Sequence, residues 1–190
     1  MSMTTNSSPI GRVQRTPDFD LSMEDLRAVA AFNLACALQV IDLFEAVKPH
    51  DARPRDALVA AENFVRGGPR SRAQRISAPA AHRASRQVIG AASHAAMPAG
   101  DAAASAYLHP LADAAQVGHI LRGPSHCVLA LEMRTIEPLT RATAAAAILE
   151  RSTPAVVEVL CRYPSAATRD RATAYVMSFL DVQLRKSVRR

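Results

Sequence analysis

Tryptophan is absent from this chain, and aromatic residues of all kinds make up only 4% of it. Glycine occurs seven times in 190 residues. Strands favour aromatic and β-branched side chains, so these shortages argue against a sheet. Cysteine is scarce as well. Cys36, Cys127 and Cys161 are isolated and odd in number, which argues against a disulfide framework and fits a reducing compartment. No CxxC or CxxH pair suggests zinc. No run of eighteen apolar residues exists to span a membrane, and the opening MSMTTNSSPIGRVQRTP lacks the apolar core of a signal peptide. A cytoplasmic location is therefore expected.

Catalytic signatures are missing in the same way. The chain has no GxxxxGK[ST] phosphate loop, no GxGxxG after a strand, no HExxH and no GxSxG elbow. It also lacks the clustered carboxylates of two-metal nucleases. No cofactor is expected, and nothing marks the chain as an enzyme.

What is present is alanine, which fills much of the 49% apolar content. Alanine has the highest intrinsic helix propensity and loses no side-chain entropy on ordering. The expected fold is all-α: a single-domain bundle of six to eight helices over residues 21–190, preceded by a flexible arm at 1–20. Ser22 with Asp25 makes a capping box for the first helix. Its buried stripe should be Leu26, Val29, Ala30, Asn33, Ala37, Val40, Ile41 and Phe44, in one helix that stops before Pro49. Asp51 is the expected cap of the second helix, with Pro54 in its first turn, and Gly67-Gly68-Pro69 ends it. A third helix is expected from Ser71 to Ala96, kinked or restarted near Pro79. Met97-Pro98-Ala99-Gly100 then reads as a turn, with Asp101 capping a fourth helix that reaches Leu121 or Arg122 and bends near Pro110. Gly123-Pro124 should break the chain before helices at 125–133 and 137–151. Thr153-Pro154 opens a short helix, and a last helix with a basic end runs from about residue 168 to 187.

Net charge is +6, distributed as −2 over residues 1–50, +5 over 51–90 and +3 over 91–190. Arginine supplies nearly all of the basic charge. A GC-rich genome explains that preference, and the alanine content, without invoking function.

Candidate site residues concentrate between Ala104 and His126. On a continuous helix His109, Asp113 and Gln116 share one face, and His119 borders it. A His and an Asp four apart can reach one metal ion, yet only His126 offers itself as a further ligand. The simpler expectation is a buried seam in which His109, Gln116 and His119 hydrogen-bond to neighbouring helices. Asp51 and Arg53 form a second polar cluster, with local ion pairing as the default. Arg66, Arg70, Arg72, Arg75, Arg83 and Arg86 form the strongest electrostatic patch. Nucleic-acid binders add aromatic platforms, and only Phe64 lies nearby, so a solvated basic face is expected instead.

LSMEDLRAVAAFNLACA, DARPRDALVAAENFVRGG, AAHRASRQ, AYLHPLADAAQVGHILRGPSH and STPAVVEVL occur in this order over residues 21–165. In these segments the chain resembles a family of small all-helical proteins common in actinobacteria, the Imm-5-like immunity proteins of polymorphic toxin systems. Asp51, Arg53, Pro54, Arg83, His109, Gln116 and His119 fall on the matching motifs. Some members carry the label "exonuclease SbcC", which implies a phosphate-binding loop and a long coiled coil, and this chain has neither. The resemblance implies a protein partner, a toxin, or self-association.

Three readings follow. The leading one is a non-enzymatic protein-binding protein; its pI of 9.9 suits an acidic target better than a basic nuclease. The second is a nucleic-acid-associated protein using the Arg66–Arg86 region, which a basic stripe on one face would favour. The third is a metal- or ligand-binding protein centred on His109, Asp113 and His119.

Overall fold

The computed structural model describes residues 19–166 and 171–187. Most of the expected N-terminal arm, and Arg189 and Arg190 at the basic end, lie outside the described residues.

Local chemistry opens the first helix, α1 (Met23–Ala37), as the sequence predicts. Ser22 Oγ accepts from the Asp25 amide at 3.1 Å, and the Asp25 carboxylate accepts from the Ser22 amide at 2.9 Å. Every residue of the expected stripe from Leu26 to Phe44 is buried. The stripe is not one helix, however. A turn at 38–40 redirects the chain into α2 (Ile41–Glu45), which lays Ile41 and Phe44 towards α5.

The second expected helix is α3 (Arg53–Val65), whose cap position is Ala52 rather than Asp51. Asp51 still accepts from the Arg53 amide, at 3.2 Å. At the other end Gly67, with φ of +100°, turns the chain out of the helix. Arg27 of α1 covers that end, donating to the Phe64 and Gly67 carbonyls at 3.2 and 3.1 Å with its guanidinium over the Phe64 ring. A cation at a helix C-terminus meets the negative end of the dipole.

Prolines account for the largest departures from expectation. α4 (Arg72–Ser85) runs straight through Pro79, and the break falls later, at 86–89. α5 (Gly90–Ala104) runs through Met97-Pro98-Ala99-Gly100, which is not a turn. α6 (Ala114–Met133) runs through Gly123-Pro124. A proline inside a helix loses a hydrogen bond and crowds the preceding turn, at a cost of about 3 kcal/mol. Tertiary packing overrides that cost here. α5 is almost wholly alanine and glycine along its buried face, and it touches α1, α2, α3, α4 and α6. Small side chains let five neighbours approach one axis.

The continuity of α6 has a specific support. Pro124 has no amide hydrogen, so the Ile120 carbonyl loses its helical partner. The Asn33 side-chain amide, from α1, donates to that carbonyl at 3.2 Å and reaches the His119 carbonyl at 3.5 Å. Gly123 makes room for it, since a Cβ there would lie 2.5 Å from Asn33 Oδ1. Asn33→Leu should leave a buried carbonyl unsatisfied and lower stability by about 1–3 kcal/mol. Thermal unfolding followed by circular dichroism checks this, with the exposed His50→Ala as a control expected to change little.

Between α5 and α6 lie a 3-10 turn (Ser105–Tyr107) and an irregular stretch to Asp113, where a helix bent near Pro110 was expected. Backbone groups hold this stretch. Tyr163 Oη donates to the His109 carbonyl at 2.8 Å, and the Phe19 amide donates to the Pro110 carbonyl at 3.1 Å. The remaining helices are α7 (Arg141–Leu149), α8 (Pro154–Cys161) and α9 (Ala172–Ser187). α7 starts at the Thr140 cap, three residues beyond Glu137, and Thr153 caps α8 as expected. On α9, Val176 and Leu184 are buried, whereas Tyr175, Phe179 and Val182 face outward.

The described residues thus form nine α-helices and no strand, the all-α bundle expected from composition. The turn at 38–40 contributes to a helix count above the expected six to eight. None of the described helices is long and apolar enough to cross a membrane.

Candidate functional site

The densest buried polar cluster centres on Asp101, which is 1% exposed in the last turn of α5. Its carboxylate accepts from Arg122 Nε at 3.1 and 3.2 Å, from a second Arg122 nitrogen, and from His82 Nε2 at 3.1 Å. Burial alone would push this carboxyl up. The His82 and Arg122 hydrogen bonds, with the Arg122 charge, outweigh it and hold the pKa at about 2. α4, α5 and α6 each contribute one member. Gly100 permits the approach, because a Cβ there would lie 2.5 Å from His82 Nε2 and 2.7 Å from the Ala78 carbonyl oxygen. The carboxylate is committed to bonding three helices together.

A histidine pair lies on the same side of the bundle. His94 and His126 meet through their Nδ1 atoms at 2.7 Å, so one donates and the other accepts. Burial lowers the pKa of both and takes His126 to about 4. The half-buried His119 is lowered too, first by burial and then by the Arg122 charge. A histidine titrates near 6.5 when unfolded, so below that pH the unfolded chain binds more protons than the folded one. Stability should therefore be full above about pH 6.5 and fall as pH drops towards 4. Urea unfolding at pH 7.5 and pH 5.0 should show this loss, with His126→Asn losing less than the wild type.

The other residues singled out in the sequence do not form one site. His109 lies exposed on the irregular stretch, and its amide donates to Gln116 Oε1 at 3.4 Å. Asp113 caps α6, accepting from the Ala115 amide at 2.8 Å. The shared helical face expected for His109, Asp113 and Gln116 does not exist, because the chain is not helical between Leu108 and Asp113. The seam expected inside the bundle is likewise corrected: His109 is exposed, while Gln116 and His119 are only partly buried. Among the described residues no group of three or more His, Cys, Asp or Glu side chains is arranged to hold a metal. Asp51 and Arg53 pair locally at 2.8 and 2.5 Å, and Arg53 also reaches Gln87 at 2.5 Å.

Asp101, His82, Arg122 and His94 were missed in the sequence. The signal was there, since AGDAAA places a charge among small residues. A charge so placed is buried and must find partners.

The arginines differ in how they are paired. Arg53, Arg55, Arg66, Arg122, Arg141, Arg162 and Arg185 each pair with an acid. Arg70, Arg72, Arg75, Arg83 and Arg86 are exposed and have no acidic partner among the described residues. Beside them are two adjoining depressions of about 260 and 450 Å³, both lined by Arg70 and Tyr107. Tyr107 is fixed there by donating to the Ser71 carbonyl at 3.0 Å.

No curated protein and no solved structure matches the chain. A family model does, over residues 20–121, from the start of α1 through the first two turns of α6. That span carries the Asp51–Arg53 pair, the unpaired arginines, and Asp101 with His82. By this match the chain belongs to the family described as Imm-5 like putative immunity protein.

Proposed function

We propose that this protein neutralises a toxin by binding it, as a cytoplasmic and non-enzymatic immunity protein. The family match over residues 20–121 carries the reading. The chemistry of the Asp101 cluster supports it. Its carboxylate is 1% exposed and engaged by His82 and Arg122, which suits a role in joining helices. Binding of this kind needs a complementary surface rather than a reacting group, and the exposed charge between Arg70 and Arg86 supplies one.

Coexpression with a polymorphic toxin from the same genome tests the proposal. The chain should restore growth to cells producing that toxin and should copurify with it. Continued toxicity at full expression of folded protein would contradict the reading.

A further inference from the structure

The outer face of α4 is a narrow stripe of one charge. At 100° per residue, Arg72, Arg75, Ile76, Pro79, Arg83 and Arg86 fall within an arc of about 100°. All six are exposed, whereas Gln74, Ala78, Ala81 and Ala84 on the opposite side are buried.

This arrangement costs the free protein stability. Arg72 and Arg75 occupy the first turn of α4, which has no acidic residue, so two cations sit at the positive end of the helix dipole. Like charges spaced three apart, as in Arg72–Arg75 and Arg83–Arg86, repel one another along a helix. Seven arginines elsewhere pair with acids, and Arg27, Arg134 and Arg151 donate to carbonyl or amide oxygens, whereas these four share one helix face with no acidic partner among the described residues. Unrelieved charge at the wrong end of a helix is expected where an external anion completes the structure.

Apolar residues inside the stripe indicate what kind of anion. Ile76 is 53% exposed in the midst of the arginines, and Pro79 is exposed beside it. A polyphosphate backbone has no use for a branched aliphatic side chain, and the aromatics nearest the stripe are both engaged: Phe64 is fully buried, while Tyr107, which lines a depression with Arg72, Arg75 and Ile76, is half-buried and tied to the Ser71 carbonyl. Protein interfaces combine a desolvated apolar anchor with a charged rim.

We propose that the arginine stripe of α4 is the docking surface for an acidic face of a protein partner, with Ile76 as the apolar anchor. The partner's carboxylates pair with Arg72, Arg75, Arg83 and Arg86, and the positive field speeds encounter. This rests on the immunity reading and specifies which surface meets the toxin and the charge that the toxin presents.

The test titrates the purified toxin that this chain neutralises in coexpression against the wild type, the triple variant Arg72→Glu/Arg75→Glu/Arg83→Glu, and Ile76→Asp. A charge-matched control reverses Lys48, Arg151 and Lys186, all exposed. All the substituted side chains are on the surface, and circular dichroism confirms that each variant folds. The triple variant should weaken binding about a hundredfold or more, and Ile76→Asp about thirtyfold, while the control stays close to wild type. Equal binding by all variants would overturn the surface while leaving the immunity reading intact. A wild type that binds no toxin would overturn both. A 20-base-pair DNA duplex is titrated in parallel at physiological salt. Tight duplex binding, lost in the triple variant and retained in Ile76→Asp, would make the stripe a nucleic-acid surface and overturn the proposal.

Discussion

Arg122→Met should lower stability by about 3 kcal/mol, because it strips the principal countercharge from a buried carboxylate. For a chain of this size that corresponds to a melting temperature lower by about 10 °C. Asp101 is 1% exposed, so water cannot easily take the place of the guanidinium. The Arg122 side chain itself is 38% exposed and rehydrates readily when Asp101 is the partner removed. Asp101→Asn should consequently cost less than Arg122→Met. The double variant should recover much of the loss, since no buried charge then remains unpaired. Denaturant unfolding of the three variants closes this cycle. A loss below about 1 kcal/mol for Arg122→Met would show that the pair is weakly coupled.

Gly100→Ala carries the second large effect. Alanine in a helix interior normally gains about 0.5–1 kcal/mol over glycine. Here the new Cβ would lie 2.7 Å from the Ala78 carbonyl oxygen, a backbone atom that cannot swing away, and 2.5 Å from His82 Nε2. Overpacking of this kind should give a net loss of about 2–3 kcal/mol and part His82 from Asp101. Gly118→Ala has the opposite sign. A Cβ at Gly118 meets nothing within 4 Å, so that variant should be stabilised by about 0.5–1 kcal/mol. Melting temperatures moving in opposite directions for two glycine-to-alanine changes would separate helix propensity from helix approach.

Local features of the fold were legible in the sequence because their causes are local. Ser22 with Asp25, Gly67-Gly68 and Thr153-Pro154 act within a turn of chain: the first and last open helices and the second ends one, where expected. Burial of the stripe from Leu26 to Phe44 followed from its spacing alone. The prolines were misread because their cost is local while the compensation is distant. Asn33 was correctly placed on the buried stripe, but its use depends on the Ile120 carbonyl, eighty-seven residues away.

Asp101 shows the same limit at the candidate site. Pro-Ala-Gly-Asp reads locally as a turn followed by a cap. Only its neighbours across the bundle, Arg122 and His82, make it the centre of a buried cluster. His109 fails in the opposite sense. Its spacing to Asp113 and Gln116 has meaning only on a helix, and the chain between Leu108 and Asp113 is held irregular by bonds from Phe19 and Tyr163. The arginine stripe was visible as composition. Its lack of acidic partners emerged only once seven arginines elsewhere were seen to be paired.

The central claim is that this protein acts by occupying a partner and not by turning one over. Titrating the residual activity of a fixed amount of the toxin that this chain neutralises against increasing amounts of the chain tests that most directly. Binding predicts a linear fall to an end point at a fixed molar ratio, with full toxin activity recovered once the complex is dissociated. Complete inactivation by a small fraction of an equivalent, progressing with time and leaving a toxin that stays inactive after separation, would contradict the account.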